Sequence, residues 1–143
     1  MNALRLEQCF VHLGRGTRAE AQPPFDGMAW YDAYTARHAG DGAEGRLVSQ
    51  YTFTQDWASW EMHPAGDEVV ICTHGAMVLV QERQDGQVIR TPLAAGEYAI
   101  NPAGVWHTAD IAASATAIFI TAGAGTRHRP RSSDALGAPS AAL

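Results

Sequence analysis

Four side chains in two separated segments have the types and the spacing to hold one divalent ion: Glu61, His63, Glu68 and His107. The first segment reads Glu61-Met-His63-Pro-Ala-Gly-Asp-Glu68, with Gly75 after six further residues. The second reads Gly96, five residues, Pro102-Ala-Gly104, two residues, His107. Residues two apart on a strand project from the same face, so Glu61 and His63 share a face and Trp60 and Met62 take the other. Pro64-Ala65-Gly66 turns the chain, and Glu68 can return to the same spot at the start of the next strand. His107 enters from the opposite hairpin behind its own Pro-x-Gly turn. Two imidazoles and two carboxylates without a thiolate argue against a structural zinc of the finger type. Such a set suits iron, manganese, nickel, cobalt or zinc. Two carboxylates offset the charge of a divalent ion and make it a weaker Lewis acid than an all-imidazole site would. Both histidines must be neutral to ligate, so affinity should fall in acid. Singly, the pieces are ordinary: Glu-x-His is common, and Asn-Pro-Ala-Gly is a turn sequence. Their order, across a hairpin in a strand-rich chain, carries the reading.

The elements that must position these residues are strands. Between Arg46 and Thr121 short β-rich runs alternate with turn residues: Leu47–Thr54, Ser59–His63, Glu68–Thr73, Ala76–Glu82, Gln87–Thr91, Glu97–Asn101, Trp106–Ile111 and Thr116–Thr121. Pro64-Ala-Gly66, His74-Gly75, Asp85-Gly86, Ala95-Gly96 and Pro102-Ala-Gly104 punctuate them. Asp85-Gly86 between two such runs predicts a hairpin with a type I′ turn, and His74 falls at a second expected hairpin tip. Many short strands at this spacing predict an all-β antiparallel sandwich or barrel. Residues 1–45 read as an N-terminal arm, strands or a short helix packing on the barrel. Met28–Arg37 fits either a short helix or a strand. Residues 46–122 read as the barrel. Residues 123–143, rich in Gly, Ala, Pro and Ser, read as a tail whose last ten or so residues are disordered.

With 143 residues, 46% of them hydrophobic, the chain has the size of one domain with a real core. A net charge of −5 gives no general attraction for nucleic acid or anionic membranes. Cys9 and Cys72 make neither a disulfide framework nor a thiolate zinc site. No run approaches the roughly 20 apolar residues of a membrane span, and the N-terminus lacks the apolar stretch of a signal peptide. A cytoplasmic location is the expectation.

The two segments together resemble the motifs of the cupin superfamily. Glu61-x-His63, Glu68 and Gly75 are similar to its first motif, and Gly96, Pro102, Gly104 and His107 follow its second without a gap. The departures are Glu61 where the family usually has a histidine, Gln55 in place of an opening glycine, and Ile111 in place of a closing asparagine. More narrowly, Trp-Glu-Met-His-Pro-x-Gly-Asp-Glu, Gly-Val-Trp-His and Gly-x-Gly-Thr-x-His-Arg look like a group of small bacterial single-domain cupins of unassigned activity. The resemblance covers roughly residues 46 to 121. It implies a jelly-roll β-barrel (a double-stranded β-helix), usually dimeric, with one divalent transition metal in the barrel mouth.

Around the centre, Tyr51, Phe53 and Trp57 share the parity of Glu61, and Tyr98 alternates with Ile100 before the second turn. These four are the candidate pocket residues, suited to a flat or apolar organic molecule, and each can equally be barrel filling. A bulge at Gln55-Asp56 would break the parity. His12, His38 and His74 read as surface or satisfied structural residues, Cys72 as core. Arg127-His128-Arg129 with Arg131 makes a small basic cluster near the tail, read as a solvated charge run, with binding of an acid at a barrel mouth as the alternative. Two functions follow. One is a metal-dependent enzyme, a dioxygenase, isomerase or lyase, acting on a small organic molecule. The other is a non-catalytic metabolite-binding or sensor barrel. Either is expected as a homodimer, which solves the problem of open sheet edges.

Overall fold

The structure, a computed structural model, describes residues 1–132. The disorder expected of the last residues, 133–143, lies outside the described residues. Ten strands and one helix follow in order: β1 Val11–Gly14, β2 Arg18–Ala21, α1 Ala29–Arg37, β3 Arg46–Phe53, β4 Ser59–Met62, β5 Glu68–Glu82, β6 Val88–Ala94, β7 Tyr98–Asn101, β8 Trp106–Asp110, β9 Ala115–Thr121 and β10 Arg127–Pro130. All pairings are antiparallel. One sheet runs β2-β1-β3-β9-β5-β7 and the other β10-β4-β8-β5-β6, with β5 common to both. The architecture is the expected all-β jelly roll.

The expected break at His74-Gly75 is a correction. Glu68–Thr73 and Ala76–Glu82 are not two strands around a hairpin tip but one 15-residue strand. Its first half pairs with β7 and β9, its second half with β6 and β8, and the register shifts between Cys72 and His74. A bulge bends and twists a strand without ending it, so β5 passes from one sheet to the other. Gly75 sits at that bend with φ +70°, and a Cβ there would lie 2.1 Å from the Ser114 carbonyl oxygen. Only glycine fits the conformation and the close approach.

The Asp85-Gly86 hairpin forms between β5 and β6, but its turn is not type I′. Gly86 has φ +83° while Asp85 is not among the residues of positive φ. Gly86 N–H donates to the Arg83 carbonyl and Arg83 N–H to that of Gln87. This is the three-residue loop in which a type I turn is followed by a left-handed glycine.

Two cores position the site. Between the sheets, Trp57, Val70, Cys72, Met77, Leu79, Leu93, Ile111 and Phe119 are buried together. A second cluster joins the arm to β3: Phe10 and Trp30 of the arm are buried with Leu47 of β3, and Phe25, Tyr31, Tyr34 and Tyr51 pack against them. Met28–Arg37, open between helix and strand in the sequence, is helical over Ala29–Arg37. It is held by ring packing: Phe10 lies 5.2 Å from Trp30 and 5.5 Å from Tyr51 of β3. The arm thus stacks on the inner wall of the first sheet.

Candidate metal centre

Glu61 and His107 are directly opposite each other on β4 and β8, a placement that brings side chains of one face together. His63 follows β4 by one residue. Glu68 opens β5, opposite Asn101 of β7, and faces inward with Val70 and Cys72. His63, Glu68 and His107 are 5%, 2% and 0% exposed. The structure brings all four together. His63 Nε2 lies 3.1 Å from Glu68 Oε2 and 3.9 Å from Glu61 Oε1, and His107 Nε2 lies 3.3 Å from Glu68 Oε1 and 3.6 Å from Glu61 Oε1.

At these separations the two Nε2 atoms nevertheless lack a hydrogen-bond partner among the described residues. The imidazole nitrogens and carboxylate oxygens are close, but not oriented donor to acceptor. Donors about 2.1 Å from a shared ion stand roughly 3 to 3.4 Å apart, aimed at the ion rather than at one another. The contacts to Glu68, 3.1 and 3.3 Å, have that spacing and those to Glu61, 3.6 and 3.9 Å, are wider; the chemistry of the donor set fits a divalent ion, and a buried unpartnered nitrogen is costly without one.

The remaining nitrogens fix how the imidazoles are presented. Thr126 Oγ1 donates to the Gly123 carbonyl, so its contact with His63 Nδ1 at 2.8 Å uses the hydroxyl as acceptor of the Nδ1 proton. His107 Nδ1 faces the Val105 carbonyl at 3.4 Å, which can only accept. In the neutral form both rings therefore carry the proton on Nδ1 and turn the Nε2 lone pair inward, the arrangement that metal-ligating histidines take from their outer partners. Glu68 is fixed likewise: Asn101 Nδ2 donates to Oε1 at 3.0 Å and Thr121 Oγ1 to Oε2 at 2.6 Å. Gln81 donates in turn to Asn101 Oδ1 at 2.8 Å, orienting that amide. Glu61 Oε2 accepts from His128 of β10 at 3.0 Å.

The charges are set by the same contacts. Burial pushes the Glu61 carboxyl up, but His107, His128 and the charge of His63 outweigh it and hold it at about 2. Burial likewise raises Glu68, and His63 and His107 outweigh it, leaving the pKa below the usual carboxylate range. Burial lowers His63, and Glu68 and Glu61 more than reverse this. Both carboxylates are thus ionised at neutral pH, and a cation that displaces the proton from His63 takes over its stabilising role.

A cavity of about 940 Å³ opens from this centre toward the arm. Tyr51, Phe53 and Trp57 line it together with Glu61, His63 and Glu68, although β3 ends at Phe53 and β4 begins only at Ser59. Tyr98 is a correction. It is 65% exposed and does not line the cavity. Ala99 and Asn101 hold the inward parity of β7, opposite Val70 and Glu68, so Tyr98 faces outward.

Several residues escaped the sequence reading. Thr126, Thr121 and Asn101 come from separate elements; Thr126 falls in the Gly-x-Gly-Thr-x-His-Arg segment and Asn101 opens the Asn-Pro-Ala-Gly turn, but nothing local assigns any of the three a role at the centre. Tyr31 reaches the cavity from α1. The basic cluster, expected as a solvated run, is largely paired: His128 to Glu61, Arg129 to Glu82 at 2.7 Å and over the Trp106 ring at 4.5 Å, Arg131 to Asp110 at 2.8 Å. His12 is satisfied as expected but deeply buried, between the Tyr34 hydroxyl and Asp41 at 2.7 Å each.

No protein-family profile matches the chain, and no curated protein does. Solved structures do. The chain is similar to oxalate oxidase in complex with the substrate analogue glycolate, at TM-score 0.54 and 16% identity over 65% of this chain and 50% of that one. It is similar to Peruvianin-I, a cysteine peptidase from Thevetia peruviana latex, at TM-score 0.51 and 17% identity over 59% of this chain and 56% of that one. A cupin-2 domain protein from Shewanella frigidimarina matches at TM-score 0.44 and 24% identity over 60% and 71%. The chain spans about half the length of the oxalate oxidase and peptidase chains it matches. At these identities the likeness is one of fold.

Proposed function

We propose that this chain, which has the cupin fold, binds one divalent transition metal through Glu61, His63, Glu68 and His107 and uses it to bind or transform a small organic molecule in the adjoining cavity. The observation that carries the reading is the pair of buried Nε2 atoms, unpartnered within 3.1 to 3.9 Å of two carboxylates. Thr126 and the Val105 carbonyl would keep the imidazoles in the ligating tautomer, and Asn101 and Thr121 would keep Glu68 from rotating. An ion held there supplies a Lewis acid that polarises an oxygen atom of a bound molecule. The aromatic walls would exclude water and align that molecule. One matched structure, oxalate oxidase with glycolate, holds a small molecule, and the likeness in fold does not select the reaction. Dioxygenation, isomerisation and lyase chemistry all remain open to such a centre.

One observation favours the second reading, a metabolite-binding or sensor barrel without chemistry. The other histidines lining the cavity already have partners: His12 with Tyr34 and Asp41, His38 with Gln22, His128 with Glu61. Oxygen uptake and product analysis with metabolite pools separate the two readings.

The test of the centre is elemental analysis of wild type, His63→Ala, His107→Ala, Glu61→Ala and Glu61→His after metal-supplemented expression, alongside thermal melts. Wild type should carry about one equivalent of metal. Each histidine variant should lose it and remain folded. Glu61→Ala should weaken binding less, and Glu61→His should retain it. Equal metal in wild type and the His63→Ala, His107→Ala double variant would refute the site.

The homodimer belongs to the same proposal. Residues opposite one another across antiparallel strands share a face. One outward row reads Val11, Val48, Ile120, Val69 and Ile100 across β1, β3, β9, β5 and β7. The next reads Gln50, Ile118, Ile71 and Tyr98. None of these side chains is buried. The two rows, over five strands and four, make a largely apolar patch on the order of 300 Å², at the lower end of the largest patch of a typical monomer, which is often functional. A second copy, offering the same patch about a two-fold axis, is the partner it fits.

A further inference from the structure

Tyr31 and Tyr51 stand together in the wall of the cavity. Tyr31 comes from α1 of the arm and Tyr51 from β3 of the barrel, and their hydroxyls are hydrogen-bonded to each other. Both line the cavity, with Phe25, Phe53, Trp57 and Phe119 around them. The rings form one connected shell: Phe25 stands edge-on to Tyr51 at 5.8 Å, Phe53 lies 5.4 Å from Trp57, and Trp57 lies 5.9 Å from Phe119. Trp57 also packs 6.2 Å from the His107 ring, so the shell reaches the metal centre. Edge and face presentation of several rings favours a flat π-system over a puckered one of similar size.

A hydroxyl pair has two protons and uses one internally. Among the described residues neither phenol has another hydrogen-bond partner, so one O–H is left to donate to a guest. Burial keeps both phenols protonated, raising Tyr31 and Tyr51 above the usual phenol range. They are therefore donors at neutral pH. The carboxylates of Glu61 and Glu68 line the same cavity; metal-free they repel an anionic guest, and a divalent ion between them would leave no surplus positive charge to attract one. What suits these walls is a ring with a neutral oxygen.

We infer that the cavity takes a small aromatic molecule bearing a neutral oxygen substituent, its ring within the Phe25, Phe53, Trp57 and Phe119 shell and its oxygen accepting from the Tyr31–Tyr51 hydroxyl pair. The inference rests on the reading of this cavity as a small-molecule site. It assigns Tyr31 and Tyr51 as binding residues, one supplied by the arm and one by the barrel. The arm then completes the recognition element.

The experiment is a ligand-observed NMR titration of the full chain, zinc-loaded and after chelation, with phenol, toluene and cyclohexanol up to about 10 mM, the range of weak fragment binding. Wild type, the Tyr31→Phe and Tyr51→Phe single variants and the double variant are compared, with melts and zinc content on the same samples. Phenol should bind wild type about tenfold more tightly than toluene, one hydrogen bond's contribution, and more tightly than cyclohexanol. The double variant should lose the preference for phenol over toluene and keep the toluene affinity, since both rings remain and neither hydroxyl does; either single variant leaves one O–H free to donate and should keep the preference. If the double variant does not fold, the order of phenol, toluene and cyclohexanol in wild type decides. Equal affinity for phenol and cyclohexanol, equal affinity for phenol and toluene, an undiminished phenol preference in a folded double variant, or no phenol binding overturns the inference. A chain that prefers phenol but takes up no zinc sinks the metal reading and leaves this one standing. A chain that holds zinc without preferring phenol does the reverse.

Discussion

At the scale of single residues, the centre depends as much on what holds the ligands as on the ligands. Thr126 accepts the Nδ1 proton of His63 and passes its own to Gly123. Thr126→Val keeps the shape but removes the acceptor, so metal affinity should fall 10- to 100-fold, as is usual for loss of an outer partner. Thr126→Ser should restore it. Competition with a chromophoric chelator reads both, and an unchanged affinity in Thr126→Val would remove Thr126 from the site. A second residue-scale prediction concerns Asp110, which lies between Arg90 and Arg131 with only 21% of its side chain exposed. Burial raises its carboxyl, and the two guanidiniums outweigh this and depress it below the usual carboxylate range. A depressed folded-state pKa contributes stability that is present above the ordinary carboxylate pKa and is lost as pH falls through the folded value. Asp110→Asn should therefore cost about 1 kcal/mol at pH 7, and the gap from wild type should close in acid, below about pH 4. Urea melts at a series of pH values check this. A gap that is constant with pH would mean the loss is packing, not charge.

At the scale of elements, β5 is the piece on which the site depends. Its N-terminal half carries Glu68 in one sheet, and its C-terminal half pairs with β8, which carries His107, in the other. The bend at Gly75 sets how those halves meet. Gly75→Ala adds a left-handed penalty and drives a Cβ to 2.1 Å from Ser114 oxygen. It should cost more than about 2 kcal/mol. Gly86 also has positive φ, +83°, but nothing lies within 4 Å of its added Cβ. Gly86→Ala should cost only about 1 to 2 kcal/mol. Denaturant melts of the pair separate conformational strain from collision, and equal losses would show that β5 relaxes around the bend. The arm illustrates a different kind of element. α1 is short, begins without a side-chain cap, and gains its place from the Phe10, Phe25 and Trp30 ring packing.

At the scale of the whole molecule, the largely apolar outward rows of the first sheet call for a partner. Light scattering should give a dimer at micromolar concentration. The Ile71→Lys, Ile120→Lys double variant places two charges within that patch and should be monomeric with its fold intact, because both side chains face outward. A wild-type monomer across the micromolar range would refute the dimer. Among the described residues, no helix is long and apolar enough to cross a membrane.

The sequence by itself determined the strands and the convergence of Glu61, His63, Glu68 and His107. Alternation and turn residues are local signals: Ser59–Met62, Tyr98–Asn101 and Trp106–Asp110 fall within a residue or two of where the pattern puts them. The i, i+2 spacing of Glu61 and His63 needs only the pleat. What tertiary structure alone decided is everything that depends on which strand lies beside which. His74-Gly75 reads as a turn, yet it is a bend, because β5 finds partners on both sides of it. Tyr98 has the composition of a pocket residue, yet its opposition to Ile71 rather than Val70 turns it outward. Thr126 and His128 reach the centre because β10 pairs with β4, a contact across more than 60 residues that no local propensity encodes. Tyr31 joins the cavity because a helix of weak amphipathic character is fixed by aromatic packing. Local geometry sets the direction of a side chain along its own strand, and only long-range pairing sets what it meets.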